Sequence, residues 1–286
     1  MISVYTLDSF TSVLDGGNPA GVVLNADYLS EEEMQKIANK VGFSETAFVM
    51  KSHNADFKVR FFTPSDEVDL CGHATIATFK LLFLKQIITF GNYTQETKAG
   101  ILNVDIKEPG LVFMSQSLPS HMGEIPKDKI AKSLGISESD IIDDLPVEMV
   151  STGLLDIIVP IKSIEILKSI EPDFDMVSEI SKEYDAVGYH IFTKDTLHNK
   201  TCSCRNLAPL YGIPEEAATG TASGALLSYL FKHDLLEDYR DVTFEQGYFM
   251  ERPSLIYGSL KISENNIEKV IIGGDAVVAN EIKLYL

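Results

Sequence analysis

Apolar and polar positions alternate over Met1 to Asp8, which predicts an opening strand. A glycine-rich loop follows at Asp15-Gly-Gly-Asn-Pro-Ala-Gly21, and Val22-Val-Leu24 reads as a second strand. Ser30-Glu-Glu-Glu33 is a capping box, with Met34, Ile37, Ala38 and Val41 behind it at helical spacing. Gly42 then stands where a left-handed helix cap belongs. Strands are predicted over 44–50, 57–62, 100–105, 111–114, 153–159 and 189–193. Helical stretches are predicted from Gly72 to about Lys85, over 127–134 and 163–170, and from Gly220 to near His233. Near the end, Gln246-Gly247 and Arg252 to Ile256 form a hairpin-like return. The segments 275–279 and 281–286 close the chain. Strands come in groups followed by helices instead of alternating one for one, which predicts an α+β fold over a doubly wound parallel sheet.

Two segments repeat. Arg60-Phe-Phe-Thr-Pro64 precedes Gly72-His-Ala-Thr-Ile-Ala77, and Arg205-Asn-Leu-Ala-Pro209 precedes Gly220-Thr-Ala-Ser-Gly-Ala225. The offset is 145 residues at the arginines and 148 at the glycines, so the second copy carries a short insertion. Such a repeat predicts two similar halves, 1–115 with a returning strand over 279–286, and 116–278. Each half presents a helix start with small residues around it. The free N–H groups and positive dipole end there suit an anion, and two such ends facing one cleft would clamp a small carboxylate.

Composition narrows the function classes. The 286 residues suit about two domains, and no apolar run approaches the roughly 18 residues of a membrane span. A net charge of −18 argues against a nucleic-acid partner, and no basic stripe offsets it. Met1 to Leu7 lacks a basic leader region, so no signal peptide is expected. Three cysteines, Cys71, Cys202 and Cys204, form no disulfide framework, and a cytoplasmic location is expected. No membrane partner is expected, and a homodimer is the expected assembly.

Glu45 opens a strand that continues in apolar residues, a setting that raises a carboxyl pKa toward neutrality and suits a general acid/base. His73 directly follows Gly72, where the helix dipole favours the neutral imidazole. Its counterpart Thr221 cannot titrate, so the two helix starts differ chemically. Cys71 beside His73 has no local acidic partner and its counterpart is Thr219, which argues against a nucleophilic thiol. Cys202 and Cys204 share one face of a strand without a second ligand pair, so no metal is expected. Glu215 and Glu216 precede the second helix start, within reach of the same cleft or as acidic residues on the helix dipole. No phosphate-cradling loop is present.

Taken in order, Gly17-Asn-Pro-Ala-Gly21, Gly42-Phe-Ser-Glu-Thr46, Phe62-Thr-Pro64, Asp69-Leu-Cys-Gly-His-Ala-Thr75, Thr97-Lys-Ala-Gly100, Ala218-Thr-Gly-Thr-Ala-Ser-Gly224 and Glu245-Gln-Gly247 with Arg252-Pro-Ser254 resemble the PhzF-like family. This family is named for the phenazine-biosynthesis isomerase. The resemblance implies the diaminopimelate-epimerase fold: two pseudo-symmetric α+β halves, each a curled, mostly antiparallel sheet around a central helix. It also implies a cofactor-free proton shift on a small carboxylic acid, with Glu45 as the acid/base and His73 carried over from the Cys-Gly-His motif. Glu216 takes the place of the family's usual aspartate, Ala217 that of a proline, and Thr221 that of a serine in the phenazine enzyme. Asn18, Gly72, Gly220 and Thr221 are the expected substrate-binding positions, with Glu45, His73 and Glu216 expected in catalysis. The leading expectation is an isomerase of a cyclic or unsaturated acid. An amino-acid-like racemase or epimerase, or a binding protein that has lost the chemistry, remains an alternative.

Overall fold

The computed structural model describes residues 1–285. The expected final strand ends on Leu286, which lies outside the described residues. The chain divides into two compact units, Met1–Ser115 together with the segment from Gly273 onward, and Gln116–Ile272. The returning segment is therefore longer than the 279–286 expected from the sequence.

In the first unit the elements run β1 (Ile2–Ser9), β2 (Asn18–Val23), α1 (Glu31–Val41), β3 (Glu45–Met50), β4 (Phe57–Phe62), β5 (Glu67–Val68), α2 (Gly72–Leu84), β6 (Gly91–Thr97), β7 (Gly100–Lys107) and β8 (Leu111–Gln116). The second contains β9 (Ser120–Ile125), α3 (Lys127–Leu134), β10 (Val147–Ser151), β11 (Leu155–Pro160), α4 (Ile164–Ser169), α5 (Phe174–Glu183), β12 (Gly188–Thr193), β13 (Cys202–Ala208), β14 (Ile213–Glu216), α6 (Gly220–Lys232), β15 (Val242–Gln246), β16 (Ser254–Ser263) and β17 (Asn266–Gly274). β18 (Ala276–Leu284) returns to pair with β1. The closing segments predicted separately are one strand, bent by a register shift opposite Thr6 and Leu7.

The pairing pattern occurs twice. β1 and β2 are antiparallel, β2 and β3 parallel across the α1 crossover, β3 and β4 antiparallel, and β4 pairs with both β5 and, in parallel, β6. The second unit repeats this with β10 and β11, β11 and β12 across α4 and α5, β12 and β13, and β13 with β14 and β15. Each unit keeps one helix as its core: α2 is buried without interruption from His73 to Leu82 and α6 from Ala222 to Leu230. A helix apolar on every side has no solvent face to offer, so the sheet curls around it. The peripheral helices obey the opposite rule. α1, α3 and α5 bury one stripe each, and the stripe of α3 and α5 joins Ile157, Val159, Tyr189 and Leu207 in a core on the other sheet face. These units show the expected α+β class.

The strand predicted at Val22 starts earlier, at Asn18. Gly17 makes this possible: it adopts φ +55°, and a Cβ there would lie 2.1 Å from the Ser9 carbonyl oxygen. The turn so formed returns Asn18 to pair directly with Ser9. α5 was not predicted, although Asp173 caps it by accepting a hydrogen bond from Met176 N.

Candidate active site

Cys71 occupies the N-cap of α2, and its side chain makes no capping hydrogen bond. Thr219 at the N-cap of α6 makes none either. By contrast Ser30, Ser163 and Asp173 cap α1, α4 and α5 through their side chains. An uncapped start leaves N–H groups available to an anion.

Three elements of the first unit bring side chains to the start of α2. Glu45 begins β3, with its register partner Ala20 on β2. Asn18 begins β2, and the Ser9 hydroxyl donates to the His73 carbonyl at 2.8 Å, tying β1 to the helix. The His73 ring is buried and ringed by polar atoms. Nε2 lies 3.2 Å from Glu45 Oε2 and 3.3 Å from Ser44 Oγ. Nδ1 lies 3.4 Å from both Asn18 Nδ2 and Cys71 Sγ. Despite its ion-pair distance, Glu45 Oε2 is buried without an aligned hydrogen bond among the described residues. A buried carboxylate oxygen left open in this way is suited to a proton that arrives with a ligand.

The electrostatics correct two expectations. Burial alone would raise the Glu45 pKa, but the His73 charge and the polar groups of His73, Ser44 and Cys71 around it outweigh burial and hold the carboxyl below its ordinary value. Burial would likewise lower His73, yet Cys71 and Glu45 hold the imidazole well above its ordinary value. Burial and the Glu45 charge push the Cys71 thiol up to about 11. Cys71 is therefore a neutral thiol at neutral pH, and Glu45 is the anion that keeps His73 charged. Without a ligand the site is a Glu45 carboxylate paired with a His73 imidazolium, not the neutral histidine that the helix dipole alone favours. The neutral thiol also agrees with the reading against a nucleophilic cysteine.

Glu45, Cys71 and His73 place ligand atoms within 4.8 Å of one another. The donor types are ones that zinc accepts. Coordination would require deprotonating a buried thiol and breaking the carboxylate–imidazolium pair.

In the second unit Glu216 ends β14, and the Thr219 hydroxyl donates to its Oε2. Gln246, within the Glu-Gln-Gly motif, donates to the Glu216 carbonyl at 2.8 Å and accepts from Thr219 N at 3.2 Å. Gln116 donates to the Gly220 carbonyl at 2.9 Å, and Thr152 lies 3.1 Å from the Thr221 carbonyl. The motif at the end of β15 thus fixes the loop that presents Glu216 and the start of α6. A Cβ on Gly224 would lie 1.9 Å from Gln116 Oε1, so only glycine admits this support. Glu215 does not serve the helix dipole: it takes a bidentate pair from Arg205 at 2.9 and 2.8 Å. The repeat arginine Arg60 does the same with Glu67 at 2.6 and 2.7 Å. The repeated arginines therefore lock the strand pair before each central helix.

Asn18, Glu45, Gly72 and His73 form one group in the first unit, and Glu216, Gly220 and Thr221 form another in the second. Sequence reasoning missed Ser44, Gln116 and Gln246, whose roles come from backbone positions distant in the chain. It also missed a buried polar set beside Glu216, comprising Asp156, His190 and Asn206. The signal for two of these was one carboxyl or imidazole side chain in a largely apolar strand, Asp156 in β11 and His190 in β12, whereas Asn206 lies in a strand that also carries Ser203 and Arg205.

Cys202 and Cys204 lie buried on β13 as free thiols, both pushed upward by burial. No helix among the described residues is long and apolar enough to cross a membrane.

The profile of the phenazine biosynthesis-like protein family matches residues 7–281. An uncharacterized isomerase of Clostridium acetobutylicum is 35% identical, over 99% of this chain and 98% of its own. The trans-2,3-dihydro-3-hydroxyanthranilate isomerase of Pseudomonas fluorescens is 29% identical over 95% of each chain. The crystal structure of a PhzF-family phenazine biosynthesis protein from Bacillus anthracis has a TM-score of 0.90 and 33% identity, covering 100% of this chain and 99% of that one. With the repeated α+β units, these likenesses show that the chain belongs to the phenazine biosynthesis-like (PhzF) family and is an isomerase of it.

Proposed function

We propose that this isomerase moves a proton between two positions of a small, cyclic or unsaturated carboxylic acid, and that Glu45 carries the proton. The observation that supports this most is the buried Glu45 Oε2, 3.2 Å from His73 Nε2 and without an aligned hydrogen bond. In the free enzyme Glu45 is ionised and so is in the form that accepts a proton. An entering carboxylate competes for His73 and for the open N–H groups of Gly72 and His73. That competition weakens the pair holding the Glu45 pKa down, and the carboxyl becomes a better base once substrate is bound. His73 then donates to a polar group of the substrate. Glu216 and the α6 start at Gly220 and Thr221 are read as the second unit's contribution to the same reaction. No step in this reading draws on a cofactor.

The relative's substrate, a dihydro-hydroxyanthranilate, is the first compound to test, because it joins a carboxylate to an unsaturated ring. Glu216 and Ala217 depart from the family pattern at the substrate loop, so related cyclic acids form the second panel. Glu45→Gln should lower turnover by about 10²–10⁴-fold, the usual contribution of a positioned acid/base. In heavy water the wild type should place one deuterium at the new position in the product. Near-full turnover by Glu45→Gln would sink the mechanism. Label washed into one stereocentre with unchanged connectivity would instead identify an epimerase.

A further inference from the structure

The second unit buries a set of titratable side chains that its scaffold does not require. Register places His190 on β12 opposite Asn206 on β13, and Asn206 opposite Glu216 on β14. Directly opposed residues share a sheet face. Asp156 on β11 is opposite Gly188, two residues before His190, and so lies on that face as well. Gly188 has no side chain to stand beside the Asp156 carboxyl. In the first unit the equivalent pairs are Ala20 with Glu45, Ala47 with Phe61, and Phe61 with Val68. The same scaffold therefore closes with Ala20, Ala47, Phe61 and Val68 where the second unit has Asp156, His190, Asn206 and Glu216. Burying polar groups costs stability unless they are satisfied, and these are only partly so. His190 Nδ1 meets Asn206 Oδ1 at 2.9 Å, but His190 Nε2 and Asp156 Oδ2 are buried with no hydrogen-bond partner among the described residues.

Among the described residues no cation stands ready to hold Asp156 as a carboxylate. Its neighbours on that face are Glu216, His190 and Asn206. On β10 the face carries Glu148, opposite Ile158, and that charge is already paired with His121, Lys232 and His233. From Gly220 to Phe231, α6 contributes no charged side chain. We infer that Asp156 works as a neutral carboxylic acid and is a positioning residue for Glu216: by keeping its proton it prevents a second negative charge from joining Glu216 where an anionic substrate must be accepted. The role assigned to Glu216 rests on the function proposed above, but the protonation of Asp156 does not.

Burial first, and then the Glu216 charge, pushes Asp156 up to about 8. Burial pushes His190 down to about 4, so it offers no compensating charge at neutral pH. Above pH 8 Asp156 ionises beside Glu216, and an anionic substrate should bind less well. The folded state holds a proton that the unfolded chain has released, so this group also makes stability fall as pH rises from about 4 toward 8.

The carboxyl carbon of Asp156, assigned by its loss in Asp156→Asn, should titrate near pH 8 in carbon-13 spectra of the full chain. Its midpoint should move down in Glu216→Gln. A midpoint near the roughly 3.9 of a free aspartate overturns the inference. Asp156→Asn should also shift the alkaline limb of kcat/KM upward by one pH unit or more and flatten the fall of Tm between pH 5 and 8. An unmoved limb with a midpoint near 8 overturns the positioning role. If Glu216→Gln leaves turnover intact, the function assigned to Glu216 fails, while the spectra still decide the state of Asp156.

Discussion

The two units use one pairing pattern for opposite electrostatic purposes. In the first, the four equivalent sheet positions are the apolar Ala20, Ala47, Phe61 and Val68, and an ionisable pair stands at two element starts, where Glu45 opens β3 and His73 opens α2. In the second, glycine occupies the position equivalent to Glu45 and Thr221 that equivalent to His73. On the equivalent sheet face it carries the buried Asp156 and His190 and the half-buried Glu216. A pair of opposite charges at two element starts can exchange a proton with a ligand that reaches it. A buried carboxyl without a cation can only hold its proton. The repeat supplies two equivalent helix starts, and on the mechanism proposed above side-chain choice makes the first reactive and the second supportive.

The largest expected effect tests that asymmetry directly. His73→Ala should lower kcat/KM by about 10²-fold or more, since it removes a donor and the partner that sets the Glu45 charge. Thr221→Ala at the equivalent position should lower it by less than about tenfold. Steady-state kinetics on both variants decide the matter, and equal losses would break the division of labour.

The next effect separates the two arginine clamps. Arg205 is buried and, besides Glu215, donates to the Leu167 and Ile170 carbonyls at 3.1 and 2.9 Å. Arg60 is more open, and its additional partner Glu31 is exposed. Arg205→Met leaves Glu215 and two carbonyls unmatched and should cost about 3–5 kcal/mol, as breaking a buried pair does. Arg60→Met should cost about 1–2 kcal/mol, because water can replace part of what is lost. Urea unfolding measures both. A larger loss at Arg60 would mean that the first clamp carries its unit in a way its exposure does not suggest.

How much of this was legible before folding differs between the same regions. The starts of α2 and α6 were readable because a glycine with small followers precedes a long apolar helix, and α3 because its apolar stripe is well spaced. Glu45 and His73 could be singled out individually, from a strand start and a helix start. Their charge states could not, because they depend on a contact between elements separated in the chain by β4 and β5. The first residues of β2, Asn18 to Gly21, were read as loop because glycine and proline weaken strand propensity, whereas pairing with Ser9 and Thr6 outweighs propensity there. Asp156, His190 and Asn206 were least legible. Asp156 and His190 each stand as one carboxyl or imidazole side chain in a largely apolar strand, Asn206 shares its strand with Ser203 and Arg205, and only inter-strand register puts the three together.

A smaller effect concerns Glu148, which joins β10 to the far end of α6. Burial would raise its pKa, but His121, Lys232 and His233 outweigh burial and hold it down at about 2. The folded carboxylate thus contributes stability above its ordinary pKa, and this is lost as pH falls from about 4.5 toward 2. Because its partners are partly exposed, the contribution is on the order of 2 kcal/mol. Glu148→Gln should lower Tm at neutral pH and flatten the acid decline. An equally steep decline would place the acid-labile group elsewhere, with the Glu45–His73 pair of the first unit the next to test.

The smallest expected effect is that of metal removal. Glu45, Cys71 and His73 form a donor set to which zinc could bind, and the second unit shows no such set among the described residues. In the first unit these donors already satisfy one another electrically. The carboxylate and imidazolium cancel in charge, and the thiol keeps its proton up to about pH 11. A cation entering there must displace a proton from His73 and another from Cys71, so its apparent affinity should be low at neutral pH and rise as pH rises. Exhaustive chelation should leave turnover unchanged, and added zinc should inhibit more strongly at pH 8 than at pH 6. Cys71→Ser should weaken that inhibition. Loss of activity on chelation, restored by stoichiometric metal, would overturn the view of this site as a proton-exchanging pair and make it a metal centre.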